Sequence, residues 1–292
     1  MGMEVIGIQE GFDGLVRGEM IPLAARDVGG ILSRGGTFLR TARCPEFHDK
    51  KVQIKGIREL YESDIDGLIV IGGDGSMRGA HAVAQHDFPV IGVPASIDND
   101  IWGTDMSIGV DSAVNTTMDA VDKLRDTASS HGRAFLVETM GRNCGYLAIA
   151  AGLVCGAEMI LIPEVESNLD ELTQHVDDAY ARGKSHCIIL VAEGAALKVW
   201  DVEKHLKEHE IGFETRVTIL GHVPRGGSPT AFDRMLATRL GVEAATVLMG
   251  GATDVMIGLS GRDMVSVPLS DVITKSRKPN LELFELAKIL AK

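Results

Sequence analysis

Two stretches of the chain carry residues whose types and spacing could do phosphate and proton chemistry. The first is Gly92-Val93-Pro94-Ala95-Ser96-Ile97-Asp98-Asn99-Asp100-Ile101-Trp102-Gly103-Thr104-Asp105. Asp98, Asp100 and Asp105 stand within eight positions of one another. Carboxylates crowded on a loop raise one another's pKa and call for a cation, a proton or a catalytic task. The second stretch is Gly72-Gly73-Asp74-Gly75-Ser76. Its glycines let backbone N–H groups approach phosphate oxygens, a following helix adds a positive N-terminus, and Asp74 suits the magnesium that a nucleotide brings. Residue type alone leaves a plainer alternative open, because Asp and Asn also favour ordinary polar turns.

Four further places add polar groups: Arg133, Met140-Gly141-Arg142, Glu193-Gly194, and Arg216 with His222 and Arg225. Arginine binds phosphate as a planar fork, so several of them could hold a sugar phosphate. Taken singly, each is more often a surface charge, as is Arg43, and His222 reads equally as a satisfied structural histidine.

The elements that must position these groups follow from pattern. Apolar runs at 4–8, 67–71, 88–93, 134–137, 159–162, 187–192 and 217–220 read as strands. Helical spacing runs through 107–130, 169–181 and 202–208. Gly11-Phe12-Asp13-Gly14 reads as a turn. Strand and helix alternate, which predicts an α/β fold with doubly wound parallel sheets, whose ligand sites lie at the carboxyl ends of strands. With 292 residues, 45% of them hydrophobic, two lobes are expected, and the turn-rich 221–229 stretch and the helix after Gly109 are candidate hinges.

Composition excludes several function classes. A net charge of −12 argues against a nucleic-acid partner, so an anionic substrate must be met by local arginines. No stretch reads as a membrane span or leader, and a soluble cytoplasmic protein is expected. The four cysteines, Cys44, Cys144, Cys155 and Cys187, are scattered without metal-ligand spacing and read as reduced thiols. Cys44 beside Arg43 is an ordinary thiol on this reading, with a reactive thiolate as the alternative.

Taken together, Gly-Gly-Asp-Gly-Ser, Ile-Asp-Asn-Asp-Ile with Gly-Thr-Asp, Met-Gly-Arg, and Gly-His-Val-Pro-Arg-Gly-Gly-Ser-Pro-Thr-Ala-Phe-Asp-Arg, in this order, resemble the bacterial 6-phosphofructokinases from about Val5 to the C-terminus. The resemblance implies ATP-dependent phosphorylation of fructose 6-phosphate in two Rossmann-like lobes. Residues 1–109 with 222–272 would bind nucleotide, and 110–221 with 273–292 the sugar phosphate. It implies Asp98 as the base for the 1-hydroxyl, Asp100 as its magnesium-side partner and Asp74 as the metal ligand. Gly73, Gly75, Ser76, Gly79, Phe12, Arg43 and Cys44 would lie along the nucleotide. Arg43 and Arg142 would stabilise the transferring phosphoryl group, with Ser96 supplying a hydroxyl where the family usually has threonine. Met140, Gly141, Glu193, His222 and Arg225 would hold the sugar phosphate within one subunit, while Arg133 and Arg216 would reach in from a neighbour in a homotetramer. Arg125, Glu158, Arg182 and Lys184 match a regulatory nucleotide site, with helix-end and surface charges as the alternative.

The family's first strand, its Gly-Gly-Asp-x-Pro-Gly-x-Asn loop and the next helix, about 30 residues forming one strand-loop-helix unit, have no counterpart in this chain. An unpaired strand at 4–8, weak ATP affinity and low stability are expected from that. Pyrophosphate-using relatives carry Asp and Lys where this chain has Gly75 and Ala95. A carboxylate at Gly75 would repel a nucleotide's α-phosphate, so ATP is the expected donor. A pyrophosphate-dependent kinase and a weakly catalytic binding subunit are the competing readings. Lipid and NAD kinases share the Gly-Gly-Asp-Gly loop but leave Asp98-Asn99-Asp100 and the 221–228 segment unexplained.

Overall fold

In the computed structural model, which describes residues 2–209 and 211–291, the chain folds into two units. The first comprises residues 1–96, 101–109 and 228–277, the second 97–100, 110–227 and 278–292. The boundaries expected at 222 and 273 thus fall at 228 and 278, and Asp98-Asn99-Asp100 belongs with the second unit.

Following the chain, the first unit opens with β1 (Val5–Ile8), α1 (Gly11–Arg17), β2 (Met20–Leu23), α2 (Lys50–Glu62), β3 (Leu68–Gly72), α3 (Asp74–Ala84) and β4 (Val90–Pro94). The second unit adds α4 (Val110–His131), β5 (Arg133–Thr139), α5 (Tyr146–Cys155), β6 (Met159–Leu161), α6 (Leu169–Ala181), β7 (Cys187–Ala192), α7 (Val199–Glu208) and β8 (Glu214–Ile219). The chain then returns to the first unit with α8 (Ala231–Met249), β9 (Val255–Ser260), β10 (Asp263–Pro268) and α9 (Leu269–Thr274), and ends in the second with α10 (Leu281–Leu290).

The second unit is a parallel sheet in the order β6-β7-β5-β8. Alternate residues of its strands face opposite helix layers, as a period of two requires. Phe135, Val137, Ile188 and Leu190 pack with Val121 of α4, Ile149 of α5 and Phe284 of α10. Ala134, Leu136, Ile189 and Val191 pack with Val176 of α6 and Val202 of α7. Because both faces are covered, β7 is buried at every position and reads as one apolar run. Helix α5 has no charged residue, and Leu147, Ala148 and Ile149 are buried. Trimming such a leucine to alanine typically costs about 2–5 kcal/mol.

The first unit has a sheet of order β10-β9-β4-β3, with β3, β4 and β9 parallel and β10 an antiparallel edge strand. Met77 of α3, Leu60 of α2 and Leu269 of α9 cover one face, and Leu236 and Leu240 of α8 the other. Both sheets match the expected α/β architecture. Two details differ. Residues 11–14 start helix α1 instead of a turn, and β1 is not unpaired: it forms a separate antiparallel ribbon with β2, Val5 opposite Leu23, with Val5 and Ile6 exposed. β2, Met-Ile-Pro-Leu, carries a proline, which argues against a strand when only the pattern is read. No helix among the described residues is long and apolar enough to cross a membrane.

Between Asp98 and Asp100, Asn99 is buried and takes a left-handed backbone conformation with φ 51°. Asparagine tolerates this region and most L-residues do not. Asn99→Ala is therefore expected to unfold at lower urea concentration than Asn99→Gly, the backbone term alone separating them by about 1 kcal/mol. Equal midpoints for the two variants would show that the backbone at this position carries no strain.

Candidate active site

In the first unit, register brings the two glycine-bearing strand ends side by side. Gly72 of β3 pairs with Pro94 of β4, and the Ala95 N–H donates to the Gly72 carbonyl at 2.9 Å. Ser96 consequently lies beside Gly73. Gly73 is the N-cap of α3 and contributes no side-chain cap, and its carbonyl accepts the Ser76 N–H at 2.9 Å and the Met77 N–H at 3.0 Å. Such a terminus attracts anions through its dipole and its unpaired donors. A side chain built at Gly75 would meet nothing within 4 Å, whereas one at Gly79 would strike the Phe12 ring at 2.3 Å. Gly79 is glycine so that Phe12, itself stacked on Phe47, can lie against α3.

Asp74 is half-exposed, and both of its oxygens are held by Arg78 one helical turn on, at 2.9 and 3.1 Å. The spacing of four was legible as a helix pair, although sequence reading did not single out Arg78. A carboxylate with this surface-exposed partner suits magnesium, which keeps waters and takes phosphate oxygens in place of a full protein cage. The exchange is cheap, since an exposed pair of this spacing contributes about 0.3–0.5 kcal/mol. Arg43 is exposed, and burial pushes the neighbouring Cys44 thiol up, which leaves the thiolate alternative without support.

Of the three loop carboxylates, Asp105 is structural in this fold: it accepts the Gly261 N–H at 2.6 Å. Thr104 and Arg277 anchor the same turn, Thr104 by accepting the Leu259 N–H at 3.0 Å and Arg277 by donating to the Thr104 and Asp105 carbonyls. Asp98 and Asp100, by contrast, belong to the second unit and share an electrostatic environment there. The Asp98 carboxyl is pushed up by burial first, then by Asp100 and Glu193, while the Arg225 guanidinium opposes the rise.

The second unit assembles its polar groups at the carboxyl ends of β5, β7 and β8. The Glu193 N–H donates to the Thr139 carbonyl at 2.9 Å, the Gly194 N–H to Gly141 at 3.1 Å, and the Leu220 N–H to Glu138 at 2.9 Å. Any side chain at Gly194 would lie 2.0 Å from the Arg142 carbonyl, so glycine is required for the two turns to meet. Met140-Gly141-Arg142 and Glu193-Gly194 are thereby locked together, and His222 and Arg225 follow β8 as exposed groups. A cavity of about 540 Å³ at the two locked turns is lined by Arg142, Asn143, Glu193, Gly194 and Lys198. Glu138 is pushed up by burial and by Glu193, and Lys198 pulls it back. Glu138 and Lys198 lie outside the sequence motifs, and only the fold brings them to this end of the sheet.

Arg133 and Arg216 are not brought to that end. Arg133 opens β5, Phe135 is in register with Arg216, and Glu214 holds both arginines, Arg133 at 2.8 Å. Seven steps along the strand lead from Arg133 to Met140, about 23 Å at the strand rise. At the regulatory positions, Lys184 donates to Glu158 at 3.1 Å and to the Ala291 carbonyl at 3.2 Å. Glu158 also accepts the Ile188 N–H at 2.6 Å, Arg125 donates to the Cys155 carbonyl, and Arg182 caps α6.

A family model described as phosphofructokinase matches residues 1–248. The ATP-dependent 6-phosphofructokinase of Thermotoga neapolitana is 51% identical over 99% of this chain and 91% of its own length. That of Natranaerobius thermophilus is 48% identical over 100% and 91%. Among solved structures, phosphofructokinase from Saccharomyces cerevisiae superposes with a TM-score of 0.85 at 35% identity, covering 93% of this chain, which spans 41% of the yeast chain. The pyrophosphate-dependent phosphofructokinase of Marinobacter aquaeolei shares the fold, with a TM-score of 0.81 at 21% identity, over 96% of this chain and 77% of its own. With a family match across most of its length and relatives near half identity over nearly all of it, the chain belongs to the phosphofructokinase family.

Proposed function

We propose that this protein transfers the terminal phosphoryl group of magnesium-bound ATP to the 1-hydroxyl of fructose 6-phosphate. The observation that carries the reading is Asp98, a half-buried carboxyl whose pKa is raised by burial, by neighbouring Asp100 and by Glu193, against the pull of Arg225. A carboxylate whose basicity is raised in this way accepts a hydroxyl proton more readily than a solvated one. Names of the near-half-identical relatives support ATP as donor, as does the open space at Gly75 where a nucleotide α-phosphate would need room.

On this reading, Gly73, Gly75 and Ser76 face the nucleotide phosphates from the start of α3, with Gly79, Phe12 and Cys44 nearby. Asp74 holds the magnesium, which when bound neutralises oxygens of the donor phosphates. Arg43 and Arg142 offset the charge of the transferring group, and Ser96 offers its hydroxyl there. Met140, Gly141, Glu193, His222 and Arg225 orient the sugar phosphate. Arg133 at the opposite end of β5 and Arg216 within β8, level with Phe135, both lie away from the carboxyl strand ends, which supports their service to a neighbouring subunit's pocket in a cytoplasmic homotetramer. Arg125, Glu158, Arg182 and Lys184 belong to the same reading as a second, regulatory nucleotide site.

Turnover with fructose 6-phosphate, magnesium and either ATP or pyrophosphate tests the activity directly. Faster turnover with pyrophosphate at matched concentration would reverse the donor assignment. Asp98→Asn is expected to lower kcat by roughly 10²–10⁴-fold with little change in sugar-phosphate affinity. The same variant is expected to melt at higher temperature than the native chain at neutral pH. A folded pKa above the unfolded value means that ionised Asp98 subtracts stability above the folded pKa, and that this loss disappears as pH falls below the unfolded one. The melting difference should therefore shrink on acidification. Mixing Arg216→Ala with Asp98→Asn chains is expected to restore part of the activity that neither has alone, because some neighbouring pairs then rebuild an intact site. No recovery in verified mixed oligomers would remove Arg216 from the neighbour's pocket.

A further inference from the structure

We infer that Glu164 is a positioning residue for Arg142, holding the backbone of the turn from which Arg142 serves the transferring phosphoryl group. The inference rests on the functional reading above and extends it to a residue outside every sequence motif. Glu164 lies three residues beyond β6, and its carboxylate accepts the Gly145 N–H with both oxygens, at 2.9 and 3.2 Å. Gly145 is the N-cap residue of α5 and offers no side-chain cap, and the first turn of that helix holds no acidic residue. Glu164 supplies, from the end of another strand, the carboxylate that a helix start favours.

Two pins flank Arg142. On one side the Gly141 carbonyl accepts the Gly194 N–H at 3.1 Å, and on the other Glu164 holds Gly145. Only Arg142, Asn143 and Cys144 lie between them. Arg142 and Asn143 are exposed, so packing does little to fix them, whereas Cys144 and Gly145 are buried. The fit at the second pin is close: a side chain built at Gly145 would stand 2.5 Å from the Ile162 Cβ and 2.8 Å from a Glu164 oxygen. Glycine is required there for the turn to lie against the 162–164 segment. Burial pushes the Cys144 thiol up to about 11 against the Tyr146 backbone N–H, and Glu164, Asp100 and Asp98 add to the rise. The turn thus lies in the field of Glu164 as well as of the two loop carboxylates. A charge-assisted bond of this kind is about twice as strong as a neutral one. Without it the backbone of an exposed arginine is free to shift, and a misplacement of about 1 Å can cost on the order of 10²-fold in rate.

Steady-state kinetics of the full chain with fructose 6-phosphate, magnesium and ATP, run well below every variant's melting temperature, test the inference. Glu164→Ala is expected to lower kcat by roughly 10–10²-fold with the KM for ATP unchanged, since the lost interaction acts on the transferring group. Glu164→Gln, whose amide oxygen still accepts the Gly145 N–H, should recover most of kcat. Glu164→Asp keeps the charge but falls one methylene short, and should be as slow as Glu164→Ala. A residue that merely capped α5 would lower the melting temperature of Glu164→Ala and leave kcat at the native level. That result would overturn the inference and leave the proposed activity standing. A Gln variant as slow as the Ala variant would assign the effect to charge instead of the bond, and would overturn it too. Should Glu164→Ala fail to fold, the other two variants carry the test: a fast Gln with a slow Asp supports the inference, and a fast Asp overturns it. A native chain that does not phosphorylate fructose 6-phosphate overturns the functional reading and this inference together.

Discussion

Parallel hydrogen-bond register is the constraint on which the site residues of each unit depend. Because strands that run side by side end at the same level, the loops that leave them meet without any further device. Thr139 lies opposite Ala192, and Glu138 opposite Ile219, so the Met140–Arg142 turn, the Glu193–Gly194 turn and the 221–225 segment emerge together. In the other unit, Gly72 opposite Pro94 does the same for the start of α3 and for Ser96. Side-chain-free backbone then closes the remaining distance, as where Gly194 touches the Arg142 carbonyl. The same register that gathers these groups leaves Arg133 at the far end of β5 and Arg216 within β8, level with Phe135.

Both sheets can hold these positions because each is covered on two faces. The alternation of Val137 with Leu136, or of Leu190 with Ile189, delivers apolar side chains to opposite helix layers. Interiors packed in this way resist small displacements, since a vacated methylene is only partly refilled. Loops at the strand ends inherit that rigidity without contributing to it. They can carry features that cost stability, such as the left-handed Asn99 and the half-buried Asp98 carboxyl.

Charge is distributed unevenly around these loops. Asp100 and Glu193 raise the proton affinity of the Asp98 carboxyl and Glu193 that of Glu138, and Arg225 and Lys198 counter them at specific points. Asp74 is neutralised by Arg78 across one helical turn, so the start of α3 is not left with an unbalanced carboxylate. A strongly acidic chain can receive anionic substrates only where cations outnumber carboxylates locally.

The sequence by itself determined the α/β class, most strands and the motif residues, because a strand buried on both faces leaves an apolar run and a phosphate loop needs glycine next to a helix start. β7 and α6 have the limits that pattern predicts, and β3, β4 and β5 shift by only one or two residues. Pattern did not reveal β2, whose proline argues against a strand, or the start of α1 at Gly11, where two glycines read as a turn. Nor could it separate Asp105 from Asp98 and Asp100, because all three share a residue type and a loop. Only tertiary structure put Asp105 on the Gly261 N–H, grouped Asp98 with Glu193 and Arg225, and turned Lys198 back toward Glu193. Those outcomes depend on contacts between residues far apart in the chain, set by strand register and helix packing, and no local spacing encodes them.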